Sequence, residues 1–171
     1  MSKTKSTSIN SELEAKLARF AETQAELKKT EKALVDDVVS VLKEIITTSD
    51  YISAARWQQY TPGFNDGDPC EFSVRELQVK FSDSLMAEFN NEENEEEEFV
   101  DEYQMKRFLE KHMDVLNHEQ LGILEGQLEA LNKLHGTLSN MESALETRFG
   151  NNIQITLTKK GIETEDYDCG Y

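Results

Sequence analysis

Any chemistry in this chain would have to come from its acids, its three histidines or its two cysteines. Asn65, Asp66, Asp68 and Glu71 lie close enough in sequence to suggest a calcium loop. An EF-hand needs oxygen ligands at alternating positions, a central Gly and a Glu at position twelve, and these residues do not fit that pattern. His112 and His118 are six apart and do not share a helical face, and His135 falls on a leucine seam. A zinc site needs three or four ligands that converge, which this spacing does not predict. Cys70 and Cys169 form no CxxC pair, and Cys70 has no histidine near it in sequence to activate a thiolate. No G-x-S-x-G, Walker loop, HExxH or GxGxxG occurs. The residues therefore predict no catalytic site, no metal and no cofactor; the protein is expected not to be an enzyme.

Binding is the better-supported chemistry. The tract Trp57-Gln58-Gln59-Tyr60-Thr61-Pro62-Gly63-Phe64-Asn65-Asp66-Gly67-Asp68-Pro69-Cys70-Glu71-Phe72 combines aromatic bulk with turn residues. One reading is a hairpin tip with Trp57, Tyr60 and Phe72 in the core. The other is a binding tip on which Tyr60, Phe64, Asn65 and Asp66 project, since rigid aromatics carry much of the energy at interfaces. The run at 88–102 holds nine acids and no base, more than half of the net charge of −16. Its centre is Glu92, Glu93, Glu95, Glu96, Glu97 and Glu98. It reads either as a solvated loop or as an anionic lure for a basic surface.

Two helical stretches must position these segments. In the first, positions 13, 17, 20, 24, 27, 31, 34, 38, 41 and 45 step by alternating fours and threes, the spacing of a coiled coil. Leu13, Leu17, Phe20, Leu27, Leu34, Val38, Val41 and Ile45 are apolar, and Gln24 and Glu31 interrupt them. Ser11 followed by Glu14 is a capping box, so helix one is expected over 11–48 after a disordered tail at 1–10. Thirty-six residues of helix would make a rod about 54 Å long. The second helix is expected over 103–150, with a seam of Leu121, Leu124, Leu128, Leu131, Leu138 and Leu145 interrupted by His135 and Glu142. Gly150-Asn151 supplies its stop.

Between the helices, 51–86 reads as β-rich: a strand near 54–60, a long turn, then a strand or hairpin from 70 to 81 with a slip at Arg75-Glu76. An acidic loop follows at 87–102. After helix two, Ile153, Ile155 and Leu157 alternate, Lys159-Lys160-Gly161 turns, and 162–167 returns. A lone hairpin is marginal in water, so this terminal hairpin (within 151–171) is expected to join the central strands in one sheet. The predicted fold is α+β, two long helices forming a coiled-coil stalk with a small antiparallel sheet at one end. Homodimerisation is expected through Leu13, Leu17, Phe20, Leu27, Leu34, Leu124, Leu128, Leu131 and Leu138.

Composition narrows the partners. Phosphate contact needs clustered Lys and Arg, so direct nucleic-acid binding and an anionic membrane surface are disfavoured. The longest apolar run, 33–46, is broken by Asp36, Asp37, Lys43 and Glu44 and is not expected to span a membrane. The polar N-terminus lacks the apolar core of a secretory signal, and two distant cysteines suit a reducing cytoplasm. A host protein with a basic surface is the expected partner.

The string W-Q-Q-Y-T-P-G-F-N-D-G-D-P-C-E-F-S-V, about eighteen residues of 171, resembles a tract in small acidic proteins of tailed bacteriophages. The phage inhibitor of the host Lon protease is a candidate relative in that group. The resemblance implies a non-enzymatic inhibitor of a host enzyme, acting in the host cytoplasm, and carries over no functional residue. A DNA mimic and a structural coiled-coil scaffold stand as the alternatives.

Overall fold

In the computed structural model, residues 4–64, 66–88 and 98–169 are described. Helix α1 (Thr4–Thr48) starts ahead of the Ser11 capping box, so the expected tail is helical from Thr4 onward. No Gly or Pro between Thr4 and Ser11 interrupts helix propagation. The helix is about 68 Å long. Its β-branched second half is amphipathic: Val35, Val38, Leu42 and Ile46 are buried, at the three- and four-residue spacing of one helical face. Ser49 closes the helix. Its Oγ accepts from the backbone N–H groups of Tyr51 and Ile52 at 3.0 and 2.9 Å, and donates to Gln127 Oε1 at 3.2 Å.

The chain then enters β1 (Ile52–Tyr60), the central strand of an antiparallel sheet. On one side β1 pairs with β2 (Ser73–Val74) at its Tyr60 end and with β3 (Gln78–Phe81) at its Ile52 end. The break between β2 and β3 spans Arg75 to Leu77, where the sequence shows its slip in alternation. On the other side β1 pairs with β4 (Ile153–Thr158), which turns into the edge strand β5 (Gly161–Asp166). The central strands and the terminal hairpin thus share one sheet. The outer edge carries Glu163, Glu165 and Asp166, charges that discourage edge-to-edge pairing with another sheet.

The stretch expected as one helix over 103–150 is three: α3 (Glu102–His112), α4 (His118–Ser139) and α5 (Glu142–Phe149). Two local signals make the first two starts. Asp101 and Gln104 form a reciprocal capping box at 2.7 and 2.9 Å, and Asn117 and Gln120 form a second at 2.9 and 3.0 Å. Each satisfies backbone groups that only a helix start leaves orphaned. Asn140 ends α4 by donating from its side chain to the Gly136 carbonyl at 2.8 Å. A short helix α2 (Asp83–Glu88), not expected from the sequence, leads out of β3 and is held by buried Leu85.

The second leucine seam is buried within its own chain. Leu124, Leu131, Leu138 and Leu145 join Val35, Val38, Leu42, Ile46, Trp57, Ile155 and Leu157 in one core, and Leu128 packs against it half-buried. This corrects the expectation that the α4 leucines form a dimer seam. The reason lies in the sheet: one face of β1 and β4 presents Ala55, Trp57, Ile155 and Leu157, and α4 and α5 cover it together with α1. The polar interruptions of that seam have intrachain roles as well. His135 Nδ1 accepts from the Leu77 N–H at 3.3 Å and Glu142 Oε1 from the Val74 N–H at 3.2 Å, satisfying backbone donors at the irregular β2–β3 edge.

Gln59 is fully buried at the end of the sheet's inner face. Its Oε1 accepts from Trp57 Nε1 at 3.2 Å, and its Nε2 donates to the Leu145 and Gly150 carbonyls at 3.2 and 2.5 Å. Trp57 in turn meets Phe149 edge-on, ring centroids 5.8 Å apart. Gln59→Leu keeps the volume but leaves an indole N–H and α5 carbonyls without partners. It is expected to lower unfolding free energy by about 2–4 kcal/mol in urea titrations; an unchanged midpoint would show that the amide is dispensable.

Candidate functional site

Residues 11–30 of α1 are exposed on every face. This part of the helix is about 30 Å long, and of its residues Lys28 borders α5. It carries Leu13, Leu17, Phe20 and Leu27, each more than half exposed, and Phe20 reaches 62%. The stripe continues past the head through exposed Leu34 and Val41. Those two sit one residue before Val35 and Leu42 of the buried face, a rotation of about 100° around the helix. Helix α1 therefore has two apolar faces: one closes the head, and the other runs along its outside at seven-residue intervals. The sequence-predicted seam is this outer stripe, except that Val38 is buried in the head and Ile45 packs against it.

The proposed binding tip is divided by the structure. Phe64 projects, 65% exposed. Asp66 is exposed and Gly67 follows it, both with positive φ (42° and 96°), in a turn whose backbone suits glycine. Asn65 lies outside the described residues. Tyr60 does not project, which corrects the expectation for it: it is 4% exposed. Arg75 donates to Tyr60 Oη from Nε at 2.6 Å and again from Nη2, and lies over the ring at 5.1 Å. Tyr167 packs on the same ring at 5.3 Å. Tyr60 thereby joins the end of β1 to the β2–β3 link and to the C-terminal segment. It is large, aromatic and next to a turn, features common to hot-spot residues and to corner residues of a core, so its type alone does not separate the two roles.

The acidic run is anchored where it rejoins the sheet. Val100 exchanges backbone hydrogen bonds with Val79 at 2.8 Å each, and both Phe99 and Val100 are buried. Arg56 lies over the Phe99 ring at 4.2 Å. Glu98 is exposed and bonded to Lys80 Nζ at 2.7 Å. That hydrogen bond, and then the lysine charge, hold its carboxyl below the usual carboxylate range. Glu92, Glu93, Glu95, Glu96 and Glu97 lie outside the described residues. Lys80 pairs with Ala54, six residues along β1 from Tyr60, so the acidic anchor and the tip are about 20 Å apart.

Two recesses among the described residues adjoin the head. One, about 320 Å³, lies between the β2–β3 link, the start of α3 and α4, with Leu77, Val79, Leu128 and Leu131 lining it beside His135. Its polar groups are engaged: Asn132 Nδ2 donates to Glu102 Oε1 at 2.8 Å, and His135 holds the Leu77 N–H. The other, about 400 Å³, lies between α1 and α5, with Lys28, Lys32 and Arg148 around Ala144 and Thr147. Glu31 also lines it and Arg148 pairs with Asp36 at 3.6 Å, so its basic excess rests on Lys28 and Lys32. Among the described residues no three His, Cys, Asp or Glu side chains are placed to hold a metal ion, and no helix is long and apolar enough to cross a membrane. Cys70 and Cys169 are not joined in a disulfide.

Tyr60 and Phe64, four residues apart, are expected to respond oppositely to truncation. Tyr60→Ala should cost about 3–5 kcal/mol of stability, whereas Phe64→Ala should stay within about 0.5 kcal/mol, both read from denaturant midpoints. Equal losses would mean that Phe64 is also a packing residue.

No protein-family model matches the chain, and comparison with curated proteins and with solved structures finds none similar to it.

Proposed function

We propose that this protein is a non-catalytic binding factor, a compact α+β head that acts by occupying another macromolecule. The observation that carries the reading is the outer stripe of α1. Large apolar side chains recur at seven-residue intervals over a helix that its own head leaves bare. A run of exposed large apolar side chains of this length is what a second macromolecular surface fits. The head supplies the other contacts: Phe64 at the tip and the acidic run at 88–102, which meets the sheet at Glu98 and Val100.

The partner that this charge suits is a protein with a basic surface. Nine negative charges in fifteen residues raise the encounter rate with such a surface more than they raise affinity. Inhibition of a host enzyme, such as an ATP-dependent protease, is the form of the reading that the tract at 57–74 implies. Mimicry of duplex DNA fits less well. A duplex presents about one charge per 1.7 Å along its axis, whereas here nine acids fall within fifteen consecutive residues and residues 1–50 carry eight bases against nine acids.

The reading is tested by capturing a partner with the tagged protein, purifying it, and following association by stopped flow. Neutralising Glu95, Glu96 and Glu97 to Gln is expected to slow association several-fold to about tenfold at low ionic strength and to flatten its salt dependence. Kinetics that do not change would remove the steering role. Displacement of the partner by duplex DNA would favour mimicry, and chemical turnover of the partner would overturn the non-catalytic reading.

A further inference from the structure

Resting on that reading of α1, we infer that the macromolecule covering its exposed half is a second copy of this chain, paired antiparallel about residue 22. The seam has core positions at 13, 20 and 27 and at 17, 24 and 31, flanked on one side by Glu14, Ala21 and Lys28 and on the other by Lys16, Thr23 and Thr30. Flanking charges choose orientation in such pairs.

In a parallel dimer each Glu31 would share a layer with its counterpart, placing like charges together in the seam. The flanking contacts would be Lys16 with Ala21 and Thr23 with Lys28, and neither is an ion pair. Reversing one helix removes the Glu31 clash and sets Glu14 of each copy against Lys28 of the other, twice by symmetry. Leu17 then packs on Leu27 twice, Phe20 lies beside Gln24, and Glu31 lies beside Leu13 at the two ends of the pairing.

The neighbouring antiparallel registers fit less well. Sliding by one heptad in one direction leaves Leu27 uncovered. Sliding the other way requires Leu13 to seat on Val38, which the head has already buried.

The basic recess supports the same arrangement. Lys28 and Lys32 lie on the flank of α1 that faces α5, and Arg148 stands across the recess. An antiparallel partner brings the start of its own helix, with Glu14, to that flank. The two-helix stalk expected from the sequence is thereby built from two chains, each contributing α1, rather than from the two helical stretches of one.

The test uses full-length protein. Sedimentation equilibrium is expected to give twice the chain mass, and Leu17→Glu with Leu27→Glu to give a monomer whose near-ultraviolet dichroism keeps the Trp57 signal. Orientation is read from single cysteines placed on a Cys70→Ser, Cys169→Ser background. Leu17→Cys and Leu27→Cys proteins are expected to form an interchain disulfide when mixed and not when each is oxidised alone. Lys28→Glu should weaken the dimer roughly tenfold, and adding Glu14→Lys should restore it.

Disulfides formed by each variant alone would establish a parallel dimer and overturn the proposal. A wild-type protein that stays monomeric up to its solubility limit would also overturn it. That second result would leave the binding reading intact, because the stripe would then belong to a different partner, whose capture Leu17→Glu should abolish.

Discussion

The buried amide of Gln59 is the joint on which the head depends. It stands at the end of the central strand, receives the indole N–H of Trp57 and spans to the last carbonyls of α5. A polar side chain withdrawn from water is costly unless every hydrogen-bonding atom finds a partner, and this one does. Strand, indole and helix terminus are therefore held in one relative position, and β4 enters the sheet directly after α5 along β1. Ser49 does the same at the opposite end of β1, joining α1, the strand and α4. With both ends of the strand fixed, the helices have one way to cover the sheet.

That covering decides which apolar surface is left over. The inner face of the sheet takes the second half of α1 and the leucines of α4 and α5. None of it reaches residues 11–30, which extend past the head with their seam in solvent. The chain thus divides its hydrophobic pattern between folding and contact. Burial of the α4 leucines stabilises the head at about 25 cal/mol per Å² of apolar area, whereas the same driving force on the outer stripe of α1 is available only to association.

Charge is separated in a similar way. Glu98 and Val100 are tied to β3 by Lys80 and Val79, beside the Ile52 end of β1. An exposed pair such as Glu98–Lys80 contributes little stability, because water screens it. Its value lies in placing the end of the acidic run on the sheet edge. Lys28 and Lys32 lie elsewhere, in the recess between α1 and α5.

Local pattern was enough to reveal β1, the terminal hairpin, its joining to the central strands, the irregularity at Arg75-Glu76 and the seven-residue stripe of α1. Each depends on alternation or spacing within a few residues, which the backbone geometry converts directly into a face. The starts of α3 and α4 were equally legible in Asp101-x-x-Gln104 and Asn117-x-x-Gln120, but the break between α4 and α5 was disguised by the leucine repeat that runs across it from Leu138 to Leu145. What occupies each face was a tertiary decision. Periodicity says that a helix has an apolar side and is silent about what covers it, so the α4 leucines looked like a dimer seam until the sheet was in place. His135 and Glu142 looked like polar interruptions of a seam until the N–H groups of Leu77 and Val74 at the strand edge stood opposite them. Tyr60 and Phe64 are neighbouring aromatics in one turn-rich tract, and only the positions of Arg75 and Tyr167 bury the first and leave the second in solvent.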